Sequence, residues 1–309
     1  MSSLKSLDIR FRPSESHPAC QSRSIPPQRR SILPGLLFFE FKGVTEFIEL
    51  LVTFIDAPRL ETLDVTFFDD QINFDCPRLA QFIDRAPNIR ACDDGHVRFN
   101  DDTAIVNLQY RTYMYYNTAR DPEIKISCSG TDRQLSSTLR LCKSFFHALS
   151  TIEDLHIDNL YSRDYQTDDA IALWLQLLLP FTGVKKLYIS ERFGPSIAAA
   201  MQELVGERTR EVLPNLQYMS IWCNPLGRFR ENIAQFLTAR RLSGQPVTIS
   251  VRNKDVGTWY EGDEEEKSAL SCMYSDLISI EREADVVVCA QRRNCARNRR
   301  GLFIFFGPY

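Results

Sequence analysis

The stretch Leu213-Pro-Asn-Leu-Gln-Tyr-Met-Ser-Ile-Trp-Cys-Asn-Pro225 decides how the chain is read. Its apolar residues fall at Leu216, Met219 and Ile221, with Asn224 three further on. That is the L-x-x-L-x-L-x-x-N spacing of a leucine-rich repeat. A single copy also fits any half-buried strand, so recurrence is the test.

The spacing recurs. It is carried by Leu4, Leu7 and Ile9; by Leu33, Leu36 and Phe38; and by Leu60, Leu63 and Val65. Further copies are Ile105, Leu108 and Tyr110; Ile152, Leu155 and Ile157; and Val184, Leu187 and Ile189. The steps are 29 and 27 residues at the start and 32 twice at the end, with 45 and 47 between. Two more strand-like runs, HVRF (96–99) and EIKISC (123–128), fill the irregular middle, and PVTISV (246–251) follows the last copy.

Helical patterns lie between the copies, at 44–55, 77–86, 133–149, 168–181, 195–208 and 227–244. Pro77 suits a first helical turn. The acids Asp168 and Asp169 suit a helix N-terminus, and Gly244 suits a helix stop. Strand and helix alternating at a near-constant period imply parallel strands joined by crossover helices. The expected fold is α/β, a leucine-rich-repeat-like solenoid with parallel strands on one face and helices on the other. The array is expected to cover 1–254, with a Pro/Ser/Arg-rich surface loop at 12–32. Residues 255–309 are expected to form an irregular, poorly ordered charged tail, with an acidic run at 261–266 and a basic run at 291–300.

Composition bounds the function. The 309 residues are 44% hydrophobic and carry a net charge of -3, which gives no global pull toward nucleic acid or membrane. The longest apolar stretch, 170–181, is too short to span a bilayer. The nine cysteines are scattered without a C-x-x-C, which suits reduced thiols in a cytoplasmic or nuclear protein.

Catalytic signatures do not emerge. No Cys or His pair has zinc spacing, and no Gly-rich phosphate loop or nucleophile elbow occurs. No metal and no cofactor are expected. His156 and Asp158 sit two apart on one strand and could orient a base, so a hydrolase is a lesser alternative. The aromatic run YRTYMYY (110–116) has only Arg111 among its rings, so base stacking is not expected.

What strand alternation offers is a surface. With Leu63 and Val65 facing the core, Asp64 and Thr66 face out. The same rule turns out Asp154, His156 and Asp158, then Lys186, Tyr188 and Ser190, then Tyr218, Ser220 and Trp222. Apart from Asp154, these are the expected partner-binding residues, since aromatic and charged side chains in one strip have the chemistry of interface hot spots.

A family resemblance adds to this. The segments LPGLLFFEFKGVTEFIELLVTFIDAPRLETLDVTFFDD (33–70), FDCPRLAQFIDRAPNI (74–89) and EIKISCSGTDRQLSSTLRLC (123–142) carry it, with LSTIEDLHI (149–157), VLPNLQYMSI (212–221) and IAQFLTARRLSGQPVTISV (233–251). Together they resemble the C-terminal, leucine-rich-repeat-like region of fungal (basidiomycete) F-box proteins. The resemblance implies a non-catalytic substrate-recognition module of a ubiquitin-ligase adaptor, with protein partners presented for ubiquitination. The sequence starts inside a repeat-like strand at Leu4, without an F-box pattern before it, so adaptor docking is not carried over. The alternative expectation is a truncated or mispredicted adaptor fragment without independent function.

Overall fold

The computed structural model describes residues 4–11, 30–68, 75–110, 121–128, 130–159, 170–190, 192–204, 210–222 and 228–252. Most of the surface loop at 12–32, most of the aromatic run, Asp69, Asp70, Asp168, Asp169, Asn224 and the 255–309 tail lie outside them. The chain divides into two compact units, Met1–Val184 and Lys185–Tyr309. Among the described residues it is mixed α/β, with a mostly parallel, open sheet and no closed barrel.

In the first unit the sheet runs β1 (Ser6–Arg10), β3 (Phe38–Gly43), β5 (Thr62–Phe67), β8 (Glu123–Ser127), β7 (Thr103–Gln109), β6 (Asp94–Phe99), β9 (Asp154–Asn159). A short parallel pair, β2 (Ser31–Ile32) with β4 (Ile55–Asp56), lies apart from it. The helices are α1 (Thr45–Phe54), α2 (Pro77–Asp84), α3 (Pro87–Arg90), α4 (Thr131–Ser144), α5 (Phe146–Leu149) and α6 (Ala170–Leu178). They cover the apolar side of the strands. Phe39 of β3 meets Phe82 of α2 edge-on, and Phe99 of β6 meets Trp174 of α6 in the same way. Leu63, Val65, Ile126, Leu155 and Ile157 are at most 1% exposed on this side. Each such side chain contributes on the order of 2 kcal/mol by leaving water.

A turn repeats before the strands. Leu36 N donates to Leu33 O, Leu60 N to Ala57 O, Ile152 N to Leu149 O and Val184 N to Phe181 O. The carbonyl just before a strand then accepts two successive N–H groups from the next unit. Lys5 O takes Leu37 and Phe38, Leu37 O takes Glu61 and Thr62, and Asp93 O takes Glu153 and Asp154. These paired bonds lock neighbouring strands in register. The helix side is tied down too, for Glu49 of α1 accepts the free N–H groups of Arg78 and Leu79 at the start of α2 (3.0 and 2.8 Å).

The middle departs from expectation. β7 is antiparallel to both β6 and β8. The Ile105–Leu108–Tyr110 spacing therefore marks the return arm of a hairpin, not a repeat copy. The cause is connection length: Asn100–Asp102 alone join β6 to β7, closed by Asn100 N donating to Thr103 O at 2.8 Å. A parallel crossover needs a dozen residues or more. The strictly parallel array expected from the sequence is corrected to a mixed sheet, although β5–β8 and β6–β9 remain parallel.

The second unit has β10 (Lys186–Ile189), β11 (Tyr218–Trp222) and β12 (Thr248–Arg252), all parallel, with α7 (Gly194–Gln202) and α8 (Arg228–Leu242). The turn recurs as Leu216 N donating to Leu213 O, and Lys185 O accepts both Gln217 and Tyr218. Arg240, fully buried on α8, donates to Leu216 O at 3.0 Å and so pins the helix to the Leu-Pro-Asn-Leu turn.

Candidate functional site

Strand alternation sends one side chain in two to the helices and the other to the opposite face. In the first unit the register aligns those outward side chains into rows. One row reads Asp8, Glu40, Asp64, Glu123, then Asn107, His96 and His156. The row beside it reads Arg10, Lys42, Thr66, Lys125, then Ile105, Arg98 and Asp158. A run of carboxylates thus lies along a run of cations. Arg10 bridges Asp8 and Glu40 at 3.0 and 2.7 Å, and Lys125 bridges Glu123 and Asp64 at 2.9 and 3.7 Å. Burial pulls the Lys125 ammonium down, but the two carboxylates outweigh it and the net shift is upward.

The far end of the face is different. His96 and His156, directly opposite in the β6–β9 register, stack with ring centroids 4.3 Å apart and 14° between planes. Asp94 Oδ1 lies 3.4 Å from His96 Nε2 and 3.7 Å from His156 Nε2. Asp94 and His96 are buried, and His156 is half-buried. Burial, with the His156 and Arg98 charges adding to it, pushes His96 down to about 3. Burial and Arg98 push His156 down to about 4. Both imidazoles are therefore neutral near pH 7. Arg98 approaches His96 Nδ1 at 3.4 Å.

No family model, curated protein or solved structure matches the chain.

The structure places the expected residues as follows. Asp64 and Thr66 lie on the outward side of β5 and are half-buried, as are His156 and Asp158 on β9. Asp154, expected to point outward with them, is only 6% exposed and sits opposite Asp94. Asp158 stands opposite Arg98, and the carboxylate beside His156 is Asp94. The carboxylate 3.7 Å from His156 Nε2 thus comes from the neighbouring strand. Burial raises the Asp158 carboxyl, partly offset by Arg98.

In the second unit Lys186, Tyr188 and Ser190 are half-buried, and Tyr188 leans toward Tyr218 with ring centroids 6.0 Å apart. Ser220 is corrected: it is fully buried, between Tyr188 on β10 and Ser250 on β12 in the register. A serine side chain is too short to rise past the rings beside it. Trp222 ends β11, and its side chain lies outside the described residues.

Local spacing missed the grouping of Asp94, His96 and His156 because it is made by register, across 60 residues of chain. Both HVRF and the His156 strand were visible as strands, but their pairing was not. A cavity of about 20 Å³ on the helix side, among Leu63, Ile83, Ile124 and Leu141, is apolar and offers no chemistry. The described cysteines Cys76, Cys92, Cys128 and Cys142 are buried, and burial pushes Cys92 and Cys142 up to about 12, so those two remain thiols.

Proposed function

We propose that the chain is a non-catalytic protein-interaction module, a leucine-rich-repeat-like solenoid that docks partners on the outward faces of its strands. The observation that supports this reading is the pair of opposite-charge rows on the first unit's sheet. The fitting partner is a protein segment with matching rows of charge. Its carboxylates would meet Arg10, Lys42 and Lys125, and its cations would meet Asp8, Glu40 and Asp64. Such complementarity sets register and suppresses wrong partners more than it adds affinity. The recurring turn and the doubly accepting carbonyls support repeat stacking despite the inserted hairpin. By the F-box resemblance, the partners would be proteins presented for ubiquitination.

The test is affinity capture with quantitative identification of bound proteins. Glu40→Lys combined with Asp64→Lys should remove partners that the wild type recovers, whereas Arg133→Glu on α4, on the helix side, should keep them. Equal recovery in all three proteins would remove this face from the proposal. No specific partner for the folded wild type would favour the alternative, an adaptor fragment without independent function.

A further inference from the structure

We propose that Asp94, His96 and His156 form a binding site for a divalent transition cation of the zinc class. Asp94 and His96 are two apart on β6, so they share a face, and the β6–β9 register sets His156 opposite His96. The near-parallel stack leaves both Nε2 atoms next to the same carboxylate oxygen, at 3.4 and 3.7 Å. One donor atom from each of the three residues falls within 4.8 Å of the others. Tetrahedral zinc with bonds of about 2.0–2.1 Å sets its ligand atoms about 3.3 Å apart. The two carboxylate–imidazole separations are near that value, and closing the third is a matter of side-chain rotation. Imidazole with carboxylate is a donor set that suits zinc.

A second observation points to a ligand. His96 is 8% exposed, and its Nε2 makes no hydrogen bond within the protein although it faces the carboxylate. Buried imidazole nitrogens are ordinarily satisfied. Three protein ligands leave a fourth tetrahedral position for water.

Arg98 is the opposing element. Its guanidinium donates toward His96 Nδ1, which places the imidazole proton on Nε2, the atom that a metal must take. Metal binding therefore requires the other tautomer, with Nδ1 protonated and Arg98 turned aside. Arg98 is half-exposed, so solvent is available to it. It follows that Arg98 weakens the site, both by holding this tautomer and by its charge.

The experiment is a cobalt(II) titration of the metal-free full chain, followed by absorption, with folding checked by circular dichroism. The wild type should bind one equivalent with visible d–d bands, without a thiolate-to-cobalt charge-transfer band, and zinc should displace it. His156→Ala, at the half-exposed ligand, should weaken binding by about 100-fold or more, and Arg98→Ala should tighten it by about tenfold. Folded wild type that binds no cobalt would overturn the proposal. So would a thiolate band in place of nitrogen–oxygen ligation, binding unchanged in His156→Ala, or weaker binding in Arg98→Ala.

Discussion

The two ends of the first unit's outward face obey one alternation rule and carry opposite chemistry. At the β1–β3–β5–β8 end, carboxylates and cations lie side by side, partly exposed, and neutralise each other. At the β6–β9 end the same two rows hold His96 with His156 and Arg98 with Asp158, and the buried Asp94 and Asp154 lie in the next row beside the imidazoles. Alternation fixes which side chains share a face, and burial then decides what they do. Charges in water are screened and act on a partner's approach. Donor atoms out of water are poised for a ligand.

The apolar side is common to both ends, which sets the largest expected effect. Leu63→Ala beneath the charged end and Leu155→Ala beneath the histidine end should each cost about 3 kcal/mol in chemical denaturation, because both side chains are buried in the core. Costs that differ strongly would mean that the two ends differ in their core as well as in their outward chemistry.

Zinc should separate the ends next. At about 100 times its Kd, zinc should stabilise the wild type by about 2.7 kcal/mol. Thermal unfolding should show that gain vanish in His156→Ala and persist in Lys125→Ala. A gain kept in His156→Ala would move the metal away from the histidine end.

The repeated turns sharpen the contrast further. In the 57–60 turn the third position is Arg59, which is exposed, while in the 181–184 turn it is Gly183. A Cβ on Gly183 would stand 2.3 Å from Ser150 O. Gly183→Ala should therefore cost about 2 kcal/mol by forcing the backbone to shift. Arg59→Ala should leave the denaturation midpoint unchanged.

The smallest effect belongs to the charged end. Lys125→Ala should cost about 0.5 kcal/mol, since a partly exposed ion pair contributes little. A loss of several kcal/mol there would mean that the rows hold the fold rather than serve a partner.

Much of this contrast was legible in the sequence. The apolar spacing located β1, β5, β9, β10 and β11, and alternation set Asp64, Thr66, His156 and Asp158 on the outward side. In β3 the expected copy Leu33, Leu36 and Phe38 is out of phase: Phe38 is exposed, and Phe39 and Phe41 face the core opposite Leu63 and Val65. The hairpin was hidden because Ile105, Leu108 and Tyr110 satisfy the repeat spacing, as any half-buried strand does. The short Asn100–Asp102 connection was the overlooked signal. Ser220 failed because alternation gives a direction, not a height above neighbouring rings. The histidine cluster was hidden for a different reason: a parallel register is set by hydrogen bonds between strands far apart in the chain, and no local pattern encodes it.

Site-specific photo-crosslinking tests the central claim most directly. A photoreactive residue placed at Thr66, on the outward side of β5, should capture protein partners that the same residue at Arg133, on α4, does not. Capture from Arg133 and none from Thr66 would contradict the account, by moving recognition to the helices.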